Sequence, residues 1–138
     1  SEFDVTNLPY KQVCTFHNNV VSPREYAGNI HAVAKAYNSA YVLVENNDLG
    51  AQVCDIIHEE FEYENILCTE GGGRAGKRIA SGSRTSQELG VKTTKTTKST
   101  GCAVAKLIIE SNQLIINDKE TINEFNRMKP KKVLMMTW

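Results

Sequence analysis

One glutamate, Glu45, occupies the position in this sequence that is best suited to catalytic chemistry. It directly follows residues 41–44, an apolar run without polar alternation, which is typical of a strand covered on both faces. The carboxyl end of such a strand in an open α/β sheet borders the crevice in which ligands bind. A carboxylate there could hold Mg²⁺ or Mn²⁺ and support phosphodiester cleavage, although one carboxylate cannot hold two ions. Residues 45–48 also suit a polar turn that leads into a helix.

A second candidate site is a basic segment rich in threonine. Lys92, Lys95 and Lys98 recur at every third residue, and Thr93 and Thr96 lie among the hydroxyl residues between them. Lysine ammonium groups, threonine hydroxyls and the free amides of a helix N-terminus can all bind phosphate. The spacing therefore favours contacts along a nucleic-acid backbone, and a solvated, extended loop is the alternative.

Charge is strongly segregated along the chain, although the net charge of the 138 residues is zero. Residues 45–70 contain eight acids and no lysine or arginine, whereas residues 74–98 contain seven basic residues and one acid. Such a basic segment can bind a polyanion through counterion release. We therefore add Arg84, which lies in this segment, to the candidate DNA-binding residues.

Other chemistries are disfavoured. A composition with 41% hydrophobic and 23% charged residues indicates one globular domain. No apolar run approaches the roughly 18 residues of a membrane span, and no secretory pattern opens the chain, so we expect a cytoplasmic protein without a membrane anchor. The four cysteines lack the spacing of a zinc site, and a glycine-rich near-match to a phosphate loop at residues 71–77 lacks the hydroxyl residue that should follow.

The predicted elements form a mixed α/β order. Strands are expected at residues 2–6 and 12–17 as an antiparallel pair, and then at 41–44, 65–69 and 113–117. Helices are expected at residues 23–38 and 50–61, from Ser99 or Thr100 onward, and at 119–128. Capping boxes are expected at Ser22 with Glu25 and at Asn117 with Glu120. Residues 70–98 are predicted to form a long basic loop.

Two separated motifs resemble the nuclease domain of tailed-phage, T4-like terminase large subunits. The first is YVLVENN at residues 41–47, followed by Gly50 and a helix that ends FEYENI at residues 61–66. The second is KTTKTTKSTGC at residues 92–102, followed by LIIE at 107–110 and LII at 114–116. The resemblance extends over residues 4–125.

This resemblance implies an RNase H-like mixed sheet flanked by helices and a Mg²⁺- or Mn²⁺-dependent endonuclease that cuts concatemeric double-stranded DNA during viral packaging. Three acids from separate strands bind the metals in the family, and the middle one corresponds to Glu45. The family's first strand and the other two acids are not found, so we expect weak or no cleavage by this chain alone. A non-catalytic DNA-binding or structural remnant is the alternative.

The resemblance also implies an organisation and partners. We expect a partial nuclease domain at residues 1–128 and a divergent basic and apolar tail at 129–138. Double-stranded DNA is the expected partner, together with the portal and capsid assembly of full-length relatives in the host cytoplasm. A homo-oligomer is expected because the missing strand would leave unpaired strand edges.

Overall fold

The computed structural model describes residues 8–70, 78–81 and 88–127, with backbone alone at residues 70 and 78–81. It divides the chain into two compact units, one of Asn18–Lys98 and one of Ser1–His17 with Ser99–Trp138. Within the described residues, four α-helices, a π-helical segment and five short strands are formed. The mixed α/β composition that the sequence predicts is therefore observed.

The first unit opens with helix α1, Pro23–Ala36. Ser22 caps it: the Ser22 hydroxyl accepts a hydrogen bond from the Glu25 backbone N–H, and the Glu25 carboxylate accepts one from the Ser22 backbone N–H. Proline has no backbone N–H, and the first residue of a helix has no intrahelical acceptor for one. Pro23 therefore starts the helix without the loss of a hydrogen bond. The predicted capping box is confirmed, and the helix ends two residues before the predicted Asn38.

The second helical region begins as α2, Leu49–Asp55, and continues as a π-helical segment, Ile56–Glu60. The change of pitch is seen where the Phe61 N–H donates to the Ile56 carbonyl at 3.0 Å, five residues back. Ile56 and Ile57 are buried within this segment. The helix predicted at residues 50–61 is thus present with a π-helical second half.

Three antiparallel strands form the sheet of this unit in the order β3-β2-β4. They are β2, Leu67–Glu70, β3, Arg78–Ser81, and β4, Glu88–Leu89. The prediction of one long loop over residues 70–98 is wrong in this respect, because β3 and β4 lie inside it. Both strands are formed by backbone hydrogen bonds to β2, and such pairing does not require the hydrophobic periodicity on which the prediction depends.

The apolar run at residues 41–44 lies between two neighbours without forming a full strand. Val42 forms a parallel bridge with Ile66, and Glu45 forms a parallel bridge with Val91. The predicted parallel crossover from this run to the next strand is present, but only as isolated bridges. The prediction that both faces of this run are covered is wrong, because Tyr41 and Leu43 are exposed. The other face packs on a core of buried side chains, to which Val44 itself belongs: Ala27, Ala34, Val44, Val53, Cys54, Ile56, Ile57, Tyr63 and Ile66.

In the other unit, β1, Tyr10–Lys11, pairs in parallel with β5, Leu114–Ile115. The predicted antiparallel partner strand at residues 12–17 is not formed, and residues 2–6 lie outside the described residues. The chain instead bonds to the later segment, because the Tyr10 N–H donates to the Gln113 carbonyl at 2.8 Å.

Two helices contribute to this unit, α3, Lys95–Glu110, whose first turn up to Lys98 still belongs to the first unit, and α4, Lys119–Arg127. Asp118 rather than Asn117 caps α4, since its carboxylate accepts from the Thr121 backbone N–H at 2.7 Å and the Thr121 hydroxyl at 2.8 Å. The hydrogen bond from Thr121 is the chief reason that the pKa of the Asp118 carboxyl is lowered. No helix among the described residues combines the length and apolarity that crossing a membrane requires.

Candidate functional site

The bridge to Val91 determines where Glu45 lies in the first unit. The Val91 N–H donates to the Val44 carbonyl at 2.8 Å, and the Asn46 N–H donates to the Val91 carbonyl at 2.9 Å. Glu45 sits between these two hydrogen bonds, and its side chain is exposed, whereas Val44 and Asn46 on either side are buried. Side chains that alternate in this way are those of an extended segment with one covered face. The predicted exposure of Glu45 at the end of an apolar run is therefore observed.

Asn46 fastens this edge from the buried side. Its Nδ2 donates to the Leu89 carbonyl at 2.7 Å, and the residue is 7% exposed. Its Oδ1 is buried and has no hydrogen-bond partner among the described residues. The amide therefore ties residue 46 to the end of β4, 43 residues later in the chain.

Asn47 joins the two candidate sites directly. Its Oδ1 accepts from the Thr93 backbone N–H at 3.2 Å, and its Nδ2 lies 3.3 Å from the Thr93 carbonyl oxygen. The same Nδ2 donates to Glu45 Oε1 at 3.4 Å. One side-chain amide thus contacts both the candidate acid and the backbone of the threonine-rich segment.

Two glycines allow the backbone to pack closely around Glu45. A Cβ on Gly50 would lie 1.7 Å from the Glu45 carbonyl oxygen, and one on Gly90 would lie 2.3 Å from the Val44 carbonyl oxygen. Gly90 also has a φ of +74°, a conformation that side chains other than glycine rarely adopt. Neither position can accept a larger residue unless the backbone next to Glu45 moves.

The basic segment is helical earlier than the sequence suggests. Helix α3 begins at Lys95, so the expected start at Ser99 or Thr100 is wrong. Thr94 caps it: its hydroxyl accepts from the Thr97 N–H at 3.2 Å, and the Thr94 N–H donates to the Thr97 hydroxyl at 2.7 Å. These reciprocal bonds satisfy backbone groups that a helix start leaves unpaired, which explains the earlier start.

The helical start separates the predicted DNA-binding residues into two groups. Lys95, Thr96 and Lys98 lie in the first turn of α3 and are exposed, and Lys95 and Lys98 are three residues apart and share one side of the helix. Lys92 and Thr93 precede the helix and are exposed as well, with the Lys92 ammonium 3.7 Å from a Glu88 carboxylate oxygen. Arg84 lies outside the described residues.

The described residues do not fit a complete metal centre. No group of three His, Cys, Asp or Glu side chains within residues 8–70, 78–81 and 88–127 is placed to hold a metal ion. Glu45 brings one carboxylate to its edge, and its described hydrogen-bond partner there is an amide. Hard divalent ions in nucleases require several oxygen ligands, which a single glutamate does not supply.

The sequence predicts Glu45 and the lysines as site residues but gives no prediction for the residues that connect them. A polar turn is the only role that the sequence suggests for Asn46 and Asn47, and local spacing does not predict their contacts with Leu89 and Thr93. Two consecutive asparagines after an apolar run are the one available hint, because amide side chains can bond to backbone groups on a neighbouring segment. The close approach of Gly90 to Val44 is not predicted either, because these residues are also distant in sequence.

The first unit thus carries an exposed carboxylate that is hydrogen-bonded, through Asn47, to the segment leading into a basic, threonine-rich helix start. The family model described as terminase RNaseH-like domain matches residues 3–132 of this chain. The chain therefore belongs to the terminase RNaseH-like domain family.

Membership in this family confirms the resemblance and the RNase H-like fold class that the two motifs predict. It gives the chain a terminase nuclease-type role, and nucleases with this fold generally use divalent metals. The role of Glu45, the DNA contacts of the lysines and the domain boundaries at residues 1–128 and 129–138 stay predictions.

Proposed function

We propose that this chain acts on double-stranded DNA as the nuclease-type domain of a viral DNA-packaging terminase. The observation that carries the proposal is the hydrogen-bonded connection from Glu45 through Asn47 to Thr93, within a chain of the terminase RNaseH-like family. This connection places an exposed acid next to an exposed basic segment. An enzyme that cleaves a phosphodiester needs both an acid that holds metal ions at the scissile phosphate and basic groups that bind the neighbouring phosphates.

The DNA-binding part of the proposal relies on the start of α3. Lys95 and Lys98 carry charge without an ion-pair partner among the described residues, and they lie at the positive end of the helix dipole. Thr93 and Thr96 add exposed hydroxyls. If three to six phosphates are contacted, log Kd should change with log[salt] with a slope of about three to five.

The cleavage part of the proposal assigns Glu45 as a ligand for Mg²⁺ or Mn²⁺. Since the described residues provide one such carboxylate at this edge, they do not by themselves account for a metal-dependent step. This observation favours a second candidate function for the isolated chain, namely DNA binding without cleavage. We expect cleavage by the isolated chain to be weak or undetectable.

Plasmid nicking in Mn²⁺ and Mg²⁺ distinguishes the two candidates. The full chain is compared with Glu45→Ala and with a matched control, Glu64→Ala, which removes an exposed acid of the same unit. Nicking that disappears only in Glu45→Ala supports the nuclease. DNA binding with the expected salt dependence but no nicking in any variant supports the binding module.

A salt titration of DNA affinity tests both candidates at once. Lys95→Ala and Lys98→Ala should each reduce the slope by about 1, because each removes one phosphate contact. Lys35→Ala, an exposed lysine of α1, is the control and should leave the slope unchanged. A wild-type chain whose DNA affinity does not depend on salt would contradict the proposal as a whole.

The wider partners belong to the same proposal. A terminase nuclease-type domain would work with the portal and capsid assembly in the host cytoplasm, and pull-down with purified portal would test this. The predicted homo-oligomer is tested by light scattering after size-exclusion chromatography, where a monomer at high concentration would contradict it.

A further inference from the structure

Asn47 makes more contacts between the two parts of the site than any role as a turn residue requires. Both polar atoms of its side chain are engaged with Thr93, and Nδ2 is shared with the Glu45 carboxylate. The amide therefore pairs with one backbone residue in the way that a neighbouring strand would. Its contact spans 46 positions of sequence.

The residue that Asn47 holds directly precedes the cap of α3. Thr93 is followed by Thr94, whose hydroxyl and N–H form the reciprocal bonds with Thr97 that begin the helix. Fixing the backbone at Thr93 therefore fixes the point from which Lys95 projects. The same amide contacts Glu45, so it sets the acid and the helix start relative to each other.

The scaffold does not need Asn47 for this purpose. The segment is already attached by the bridge of Glu45 to Val91 and by the bond from Asn46 to the Leu89 carbonyl. Those attachments end at residue 91, whereas the Asn47 contacts extend the attachment to residue 93. Asn47 is also less buried than Asn46, so its removal leaves the core intact.

We propose that Asn47 is a positioning residue that holds the start of α3 at a fixed distance from Glu45, so that Glu45 and Lys95 act on one stretch of duplex DNA. This inference rests on the proposed function and adds to it a residue that acts through Thr93 rather than on DNA. Its signature is energetic coupling between Asn47 and a lysine that it does not contact.

A double-mutant cycle on the full chain tests this coupling. The variants are Asn47→Ala, Lys95→Ala and the double variant, and the readout is the salt dependence of binding to a short duplex. Lys95→Ala should reduce the slope by about 1 in the wild-type background and by much less in the Asn47→Ala background, where the lysine no longer sits at its phosphate. Asn123→Ala, an exposed amide of α4, is the matched control and should leave the effect of Lys95 unchanged.

A second variant guards against a general loss of structure. Asn47→Gln keeps a side-chain amide that can accept from the Thr93 N–H and donate to the Thr93 carbonyl, so the Lys95 effect on the slope should be restored at least in part. Circular dichroism confirms folding in each case. A purely structural role for Asn47 would lower stability without changing the contribution of Lys95.

Each outcome decides a separate question. If the slopes of the two single variants add in the double variant, the positioning role is wrong and the proposed DNA binding stands. If the wild-type chain shows no salt-dependent affinity, the proposed function fails and the positioning role fails with it. Non-additive slopes that Asn47→Gln partly restores support both.

Discussion

Two glycines of the same unit should respond to the same substitution with opposite signs. Gly90 has a φ of +74°, and a Cβ there would lie 2.3 Å from the Val44 carbonyl oxygen and 3.1 Å from Cys54 Sγ. Gly28 lies inside α1, and a Cβ there would meet no atom within 4 Å. Alanine is therefore excluded by geometry at one position and favoured by helix propensity at the other.

The magnitude follows from two contributions at Gly90. A left-handed backbone with a Cβ costs about 1–2 kcal/mol, and crowding of a packed interior costs about 1–3 kcal/mol more. Gly90→Ala should thus lower the free energy of unfolding by about 2–5 kcal/mol. Gly28→Ala should raise it by about 1 kcal/mol, because alanine loses less backbone entropy in a helix.

Urea denaturation followed by far-UV circular dichroism measures both effects. With a slope of about 1–3 kcal/mol per M of urea, Gly90→Ala should lower the midpoint by at least about 0.7 M, and Gly28→Ala should raise it by a few tenths of 1 M or more. A Gly90→Ala midpoint equal to or above that of the wild type would refute the close approach of Gly90 to Val44. It would also remove the reason for placing Glu45 in a rigid backbone.

Three further predictions concern thiols, pH and a helix cap. Desolvation by burial raises the pKa of the Cys54 thiol to about 11, so alkylation at pH 8 should label the exposed Cys14 first and Cys54 only in urea. Mass spectrometry measures the labelling, and equal rates of labelling of the two cysteines in the folded protein would contradict this. The pKa of the Glu25 carboxyl is lowered from 4.5 by hydrogen bonds from Ser22, so this stabilisation is present above about pH 4.5 and is lost as pH falls through the lower folded value. The melting temperature of Glu25→Gln should therefore lie below that of the wild type at pH 7 and approach it near pH 3, and a gap that persists in acid would argue against the capping role. Thr94→Ala should lower stability by about 1 kcal/mol in thermal unfolding because the cap of α3 is lost, whereas Thr96→Ala, which removes no cap, should change it much less.

Local signals in the sequence predicted the elements that local contacts hold together. Ser22 with Glu25 and the proline between them define the start of α1 within four residues, so the capping box could be predicted and is present. Helix α4 follows the same logic, although Asp118 takes the capping role expected of Asn117. Such signals require no knowledge of distant partners.

Distant contacts explain the elements that were missed. Strands β3 and β4 form by pairing with β2. They are too short for their sequences to show the alternation of apolar and polar residues that predicts a strand. The start of α3 follows from a threonine pair whose spacing resembles an ordinary loop, and its attachment to Asn47 joins residues 46 positions apart. No periodicity along the chain contains that information.

The candidate site was predictable in its residue types but not in its geometry. Glu45 could be selected because an acid follows an apolar run, and Lys95 because lysines recur with threonines. The amide that connects them could be found only from the structure, since asparagine after a strand is common in turns. The resemblance makes Glu45 one of three metal-binding acids and finds no match for the other two in this sequence, and no metal-holding group of three such side chains is formed among the described residues.

The exposure of the Glu45 side chain depends on the register of its pairing with Val91 more than on the polarity of the carboxylate. Val44 and Asn46 are buried on either side of it, so a slip of one residue in the pairing with Val91 would bury the carboxylate and expose its neighbours. Isolated bridges fix a register weakly, because few hydrogen bonds hold them. The side-chain amides of Asn46 and Asn47 supply the missing attachments to Leu89 and Thr93, and only the unslipped register makes both possible. The two asparagines therefore help to determine that Glu45, rather than Val44 or Asn46, is the exposed side chain at this position.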